Sequence, residues 1–260
     1  SKSIQKGKSK RAIAYILIPQ KVEKVKKEET FMAHFLTGYV WDEKSEETIL
    51  LQRISTGKES FLLAGVGSGK ESGELLEGLQ EWLWWEGVHL AKGDTEGTRT
   101  ERELKRVLRQ YEEEDLNYAL FLARGNTFWM TGRGNTGVYL LNNSFNRPHM
   151  KPLLENGRPE TNLLQPHEEE DFEHPRLFGR ILYGTMEKGV GILLTTEGFW
   201  GKYTSAEEKE RKREAVRQCL NPGDISGNLQ IEKRLRELQR AVLKSKQEEN
   251  DKSAVYLKTI

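Results

Sequence analysis

The chain has 260 residues, 36% of them hydrophobic, with 41 lysines and arginines against 40 aspartates and glutamates. That length and apolar content suit one large core, and the near-cancelled charge gives no whole-molecule field to draw in nucleic acid or an anionic membrane. The single cysteine, Cys219, excludes an internal disulfide framework and a site of paired thiolates, and points to a reducing, cytoplasmic setting.

No apolar run approaches the ~20 residues of a membrane-spanning helix, and no signal-type apolar segment opens the chain. The first residue is Ser1 rather than methionine, which leaves room for a preceding segment. Residues 1–11 read as a basic arm in which Lys2, Lys6, Lys8, Lys10 and Arg11 precede any apolar run. Continuous or period-two apolar runs with β-branched and aromatic residues predict strands over 12–18, 32–40, 48–54 and 61–64. The strand over 61–64 is expected to end at Ala64. Leu75, Leu76, Leu79, Trp82 and Leu83 then form one face of a helix after Gly73, and most of the cluster Trp82, Trp84 and Trp85 is expected in the core. A second helix carries Leu104, Val107, Leu108 and Tyr111 behind a capping box of Thr100 and Glu103.

Strands over 118–123 and 127–131 flank a glycine-asparagine turn, the mark of a tight hairpin, and another strand covers 137–141. From 142 to 175 periodicity is weak and the acidic run Glu168 to Asp171 intervenes, which predicts a long surface excursion serving as a lid or partner-binding flap. Strands over 180–184 and 191–195 follow. Ser205 with Glu208 opens a third helix that stops near Asn221-Pro222-Gly223. Ile231, Leu235, Leu238 and Val242 stripe a fourth helix, and residues 254–258 close the chain as a strand. The pattern is α+β and is expected to form one domain over 1–260.

Several residue patterns carry chemistry. Residues 60–74, SFLLAGVGSGKESGE, offer a strand, a glycine-rich turn ending in Lys70 and a helix, the plan of a phosphate loop. Glu71 stands where a hydroxyl should reach magnesium, and its charge would repel phosphate, so a nucleotide loop at Gly65 to Lys70 ranks third among the functional readings. His167 and His174 flank the acidic run at a spacing that matches no standard ligand motif, and His34 and His89 lie in apolar sequence. No GxSxG turn or cysteine-histidine arrangement supports a nucleophile.

The glycine-bearing turns also resemble, in order, the motifs of the protein phosphatase 2C family, the metal-dependent serine/threonine phosphatases. Ala64, Gly69, Gly73 and Glu74 keep the spacing of the family's ADGxGG and following GE, with Gly65 in place of the metal-bridging aspartate and Val66 in place of the next glycine. GNTGVYLL at 134–141 is similar to GDSRAYLL, with Asn135 for aspartate and Gly137 for arginine. ILLTTEGFW at 192–200 is similar to LLLCSDGLW, with Glu197 at the metal-binding aspartate. DKSAVYLK at 251–258 is similar to DNITVVLV, keeping Asp251 and replacing asparagine by Lys252. At the N-terminus, where the family has arginine, asparagine and two acids, KSKRAIAY offers Lys10 or Arg11 and then Ile13, Ala14 and Tyr15.

The resemblance implies a four-layer α-β-β-α sandwich of two antiparallel sheets flanked by helices. It implies Glu197 and Asp251 as the remaining ligands for manganese or magnesium, and Lys10 and Arg11 as phosphate-binding cations. It also implies that Glu197, Asp251 and the turn at Gly65 converge at one edge of the sheets. Two hard divalent cations need several anionic oxygens and a separation of roughly 3.5 to 4 Å to activate a bridging water. The expected function is therefore that of a pseudophosphatase in signalling, binding a protein partner or a phosphorylated ligand. The alternative is an active phosphatase with an altered metal site built on Glu197, Asp251 and a further ligand. On the aligned geometry, Gly65→Asp should restore metal affinity.

Overall fold

In the computed structural model the described residues are 34–41, 46–55, 60–90, 98–111, 115–144, 147–156, 158–159, 181–200, 205–241 and 252–260. The basic arm with Lys10 and Arg11, the strand expected over 12–18, the acidic run, His167, His174, Val242 and Asp251 lie outside them.

The chain order is β1 (Phe35–Val40), β2 (Glu47–Ser55), β3 (Ser60–Ser68), α1 (Lys70–Leu90), α2 (Thr98–Arg109), β4 (Asn117–Arg124), β5 (Thr127–Arg133) and β6 (Thr136–Ser144). There follow β7 (Arg147–Glu155), β8 (Arg158–Pro159), β9 (Leu182–Thr185), β10 (Gly191–Thr196), α3 (Glu197–Trp200), α4 (Ala206–Cys219), α5 (Asn228–Ala241) and β11 (Ala254–Thr259). The strands form two sheets, one in the order β1-β11-β10-β6-β7-β8 and the other β2-β3-β4-β5-β9, with antiparallel pairing throughout.

Alternation along each strand sorts the side chains into three apolar slabs. Leu62, Ala64 and Val66 of β3 face the opposite sheet and meet the inward positions of β10 and β11, Ile192, Leu194, Val255 and Leu257. Phe61 and Leu63, one residue out of phase, face Leu75, Leu76, Leu79 and Leu83 of α1. On the far side Tyr139, Leu193 and Tyr256 pack under Val216 of α4 and Ile231 and Leu235 of α5. The result is the expected four-layer α-β-β-α sandwich. Among the described residues no helix is long and apolar enough to cross a membrane.

Several elements differ from the sequence expectation. β3 does not stop at Ala64 but continues to Ser68, and α1 begins at Lys70 with Gly69 alone between them. Residues 65 to 68 stay in the sheet because β2 and β4 pair with them on both sides. Gly65 and Gly67 fall on the helix-facing side, where the missing side chains let α1 settle close to the strand. A Cβ on Gly65 would lie 2.8 Å from Leu76 Cδ2 and 3.3 Å from the Ala119 carbonyl. Residues 142–155, read as part of an excursion, belong to a hairpin in which β7 pairs with β6. Pro148 and Pro152 obscured this strand; prolines are tolerated where one side of a strand is unpaired, and β8 covers only Leu154 and Glu155.

The capping box is also misplaced. α2 opens at Thr98, so Thr100 is a buried helical residue and Glu103 pairs instead with Arg106 at 2.8 Å. Ser205 does cap α4, its hydroxyl accepting from the Glu208 N–H at 3.1 Å. His34, which precedes β1, and His89, next to last in α1, are both exposed. Of the tryptophans, Trp82 is buried while Trp85 is 73% exposed.

The contact of Gly65 with α1 has a direct consequence. A carboxylate there would enter the strand–helix core rather than solvent, combining overpacking with an unpaired buried charge. Gly65→Ala should cost about 1–3 kcal/mol in urea denaturation and Gly65→Asp upwards of ~3 kcal/mol, with no gain in manganese affinity by calorimetry.

Candidate functional site

The antiparallel registers bring one end of every central strand to the same rim. Glu47 opens β2 opposite Ser68, Ser68 lies opposite Asn117 at the start of β4, and Tyr118 lies opposite Arg133 at the end of β5. In the facing sheet Thr136 lies opposite Thr196, and Thr195 lies opposite Ala254 at the start of β11. The turn Gly134-Asn135 carries the chain from β5 in one sheet to β6 in the other.

That turn is tightly specified. Gly134 has φ +70°, and a Cβ there would lie 2.1 Å from Asn117 Oδ1. This closeness lets the Asn135 N–H donate to Asn117 Oδ1 at 3.1 Å, while the Asn117 N–H donates to Ser72 Oγ at 2.9 Å, joining the turn to the first turn of α1. Thr136 Oγ1 donates to the Tyr118 carbonyl at 2.8 Å and so stitches β6 to β4 across the sheets. Asn135, thus held at the rim, donates from Nδ2 to Glu197 Oε2 at 3.0 Å.

Glu197 is placed by β10 and α3. Trp200 Nε1 donates to Thr195 Oγ1 at 3.1 Å, folding α3 back against its own strand, and the buried Lys212 ammonium donates to the Trp200 carbonyl at 3.2 Å. Lys212 also lies 3.4 Å from Glu208. Glu197 itself is exposed, so its interaction with the Asn135 amide is made against water and orients more than it stabilises.

A second carboxylate lies just inside the rim. Glu47 alternates with Ile49 and Leu51 and therefore faces the opposite sheet, where it is 4% exposed. Thr196 Oγ1 donates to Glu47 Oε1 at 2.7 Å, and Ser253 Oγ donates to Glu47 Oε2. Thr196 and Ser253 are joined in turn, the Thr196 N–H donating to the Ser253 carbonyl at 3.1 Å and the Ser253 N–H to Thr196 Oγ1 at 3.2 Å. The backbone around Glu47 is held as well, with Trp41 Nε1 donating to its carbonyl at 3.2 Å and the Gly69 N–H to the Glu46 carbonyl at 3.2 Å.

The sequence-predicted positions are thus divided. Glu197 and Asn135 meet in one hydrogen bond. Gly137 is buried in β6 opposite Thr195, and a Cβ there would lie 2.6 Å from the Tyr139 ring, so Tyr139 covers the place where the family motif carries arginine. Gly65 sits three residues back from the Ser68 end of β3, roughly 10 Å from the rim. It faces α1, and Val66 is in the core between the sheets. The expectation that Gly65 shares the edge with Glu197 is not met, because β3 outruns its predicted end. Glu47 is not among the residues the motif comparison indicates, because that comparison places the family's N-terminal acids at KSKRAIAY; its signal in the sequence is Glu46-Glu47 immediately before an apolar strand, with the second acid in phase with the inward face.

The nucleotide-loop reading of Gly65 to Lys70 is overturned. Those residues are strand up to Ser68, with antiparallel partners on both sides, and the single residue Gly69 forms no cradle. Lys70 is paired with Glu74 at 3.2 Å, a hydrogen bond and charge that raise its pKa above the ordinary lysine value.

The fold family implies divalent metal at this rim. Among the described residues no group of three or more histidine, cysteine, aspartate or glutamate side chains gathers to hold an ion. Glu47 already receives two hydroxyl donors and Glu197 an amide, and position 65 faces the wrong way. The described residues do not fit a centre of two divalent ions, which needs several anionic oxygens converging at 2.0–2.6 Å.

No family model matches the sequence, and no curated protein matches it. Solved structures do. The phosphatase 2C domain of SpoIIE from Bacillus subtilis, with a fragment of its regulatory domain, aligns with TM-score 0.53 at 12% identity over 88% of this chain and 65% of that one. A bacterial serine phosphatase aligns with TM-score 0.53 at 11% identity over 88% of this chain and 99% of that one. The RsbU and RsbW domains of a Mycobacterium tuberculosis protein align with TM-score 0.50 at 14% identity over 88% of this chain and 60% of that one. This chain therefore spans just under two thirds of the SpoIIE chain and nearly the full length of the serine phosphatase. Its fold is that of the phosphatase 2C-type phosphatases.

Proposed function

We propose that this chain is a phosphatase 2C-like domain that binds a protein partner or a phosphorylated ligand without hydrolysing it. The observation that carries this reading is that the described carboxylates Glu197 and Glu47 accept from neutral donors of the chain itself: Asn135 for Glu197, Thr196 and Ser253 for Glu47. Hydrolysis of a phosphate monoester at neutral pH by this fold would call for two divalent ions to make a water more acidic; without them its pKa stays near that of bulk water and little hydroxide forms. An amide in the place of the aspartate of GDSRAYLL removes one negative charge beside Glu197, and position 65 supplies none to the rim because it faces α1.

Glu47 supports a second reading, an active phosphatase with an altered metal site, because it supplies the further carboxylate that Glu197 and Asp251 would need. The two readings separate in one assay. With manganese or magnesium at millimolar concentration, the purified chain should hydrolyse an aryl phosphate no faster than the Glu197→Ala, Asp251→Ala double variant. Metal-dependent turnover abolished by the double substitution would establish the second reading.

The rim geometry also names the substitution best placed to recruit a cation. Asn135 is exposed and its amide nitrogen is 3.0 Å from Glu197, so Asn135→Asp sets two carboxylates against each other. Their repulsion is relieved by a cation, and manganese affinity measured calorimetrically should rise by about tenfold, equivalent to ~1.4 kcal/mol.

A further inference from the structure

Divalent ions can tie together protein segments that supply their ligands. In this chain the site end of the sandwich is tied by other means. Glu47 belongs to β2 in one sheet, whereas Thr196 ends β10 and Ser253 precedes β11 in the other. All three are almost fully buried, with Thr196 1% and Ser253 0% exposed. Each carboxylate oxygen accepts from one hydroxyl, and the two hydroxyl-bearing residues are bonded to one another, the Thr196 N–H to the Ser253 carbonyl and the Ser253 N–H to Thr196 Oγ1. Each of the three is bonded to another of the group, and the group spans the gap between the sheets.

We propose that this Glu47–Thr196–Ser253 bridge closes the site end of the sandwich in place of divalent ions, so that the fold is complete and the rim is shaped without metal. The physical reason lies in the cost of burying a charge. A carboxylate between apolar sheets is tolerated only when strong donors replace its water, and hydrogen bonds to an ionised acceptor are the stronger kind. Once those donors are in place the carboxylate holds both sheets by contacts that neither sheet can make alone. Thr196 is also the residue before Glu197, so the bridge fixes the strand end from which the rim carboxylate projects. Glu47 is accordingly a positioning residue, acting on Glu197 through Thr196.

The inference rests on the reading that the rim holds no functional metal pair, and the test keeps the two apart. Thermal melting of the full chain is followed in EDTA and in millimolar manganese, with aryl-phosphate turnover measured on the same samples. The native chain should melt at the same temperature in both. Glu47→Ala should melt about 4–10 °C lower in both. Glu47→Gln, which can accept from one hydroxyl and donate to the other, should recover part of that loss. Thr196→Val, which removes one donor at constant volume, should lower the melting point of the native chain more than that of Glu47→Gln. This coupling can be read even if Glu47→Ala fails to fold. Melting raised by manganese in the native chain and not in Glu47→Gln would overturn the proposal, since it makes Glu47 a metal ligand. So would independent, additive effects of Glu47→Gln and Thr196→Val. Metal-dependent turnover with metal-independent melting would remove the non-hydrolytic reading and leave the bridge standing.

Discussion

The face-to-face contact of the two sheets governs the rest of this molecule. Apolar burial at ~25 cal/mol per Å² makes the inward positions of β3, β10 and β11 one continuous slab. Because strand side chains alternate, that slab fixes which residue of every neighbouring pair looks inward. Glu47 is inward because Ile49 and Leu51 are, and Gly65 is outward because its neighbours Ala64 and Val66 are inward. The chemical character of the rim is thus decided by strand phase before any functional group is considered.

Within that constraint the polar rim is an exercise in satisfying groups that the slab leaves stranded. The buried carboxylate of Glu47 finds hydroxyls, and the crossing turn at Gly134-Asn135 finds the Asn117 side chain. The short helix α3 finds Trp200 and Lys212. The Glu47 bonds join one sheet to the other, the Trp200 bond ties α3 to β10, and Lys212 ties α4 to α3. A rim built in this way has its carboxylates held by donors of the chain itself.

The glycine-rich stretch after Ala64 illustrates how one pattern serves different ends. Glycine in a turn supplies backbone freedom, whereas glycine in a strand supplies proximity. Here the second use dominates at Gly65, whose missing Cβ is the space occupied by Leu76. The likeness of AGVGSG to a family motif is real in spacing, but the backbone continues as strand through it. A replacement that looks like a simple loss of a ligand is also a change in how α1 packs.

Much of the architecture was legible from residues alone, since periodicity is local: the strands of the central sheets, the hairpin at Gly125-Asn126, the leucine face of α1 and the Ser205 cap follow from neighbours within a few positions. The order of the motif-like turns was enough to indicate the phosphatase 2C-like sandwich. Strand ends and site membership were not legible in this way. β3 extends because β2 and β4 are there to pair with it, and β7 forms despite its prolines because β6 offers an edge. The inward phase of Glu47 follows from Ile49 and Leu51, but its meeting with Thr196 and Ser253 follows only from the packing of the two sheets. Composition and spacing therefore determined the layers and which chemical groups this protein carries. Only the tertiary structure decided which groups face one another, because strand pairing and sheet packing depend on contacts between residues as far apart as Glu47 and Ser253.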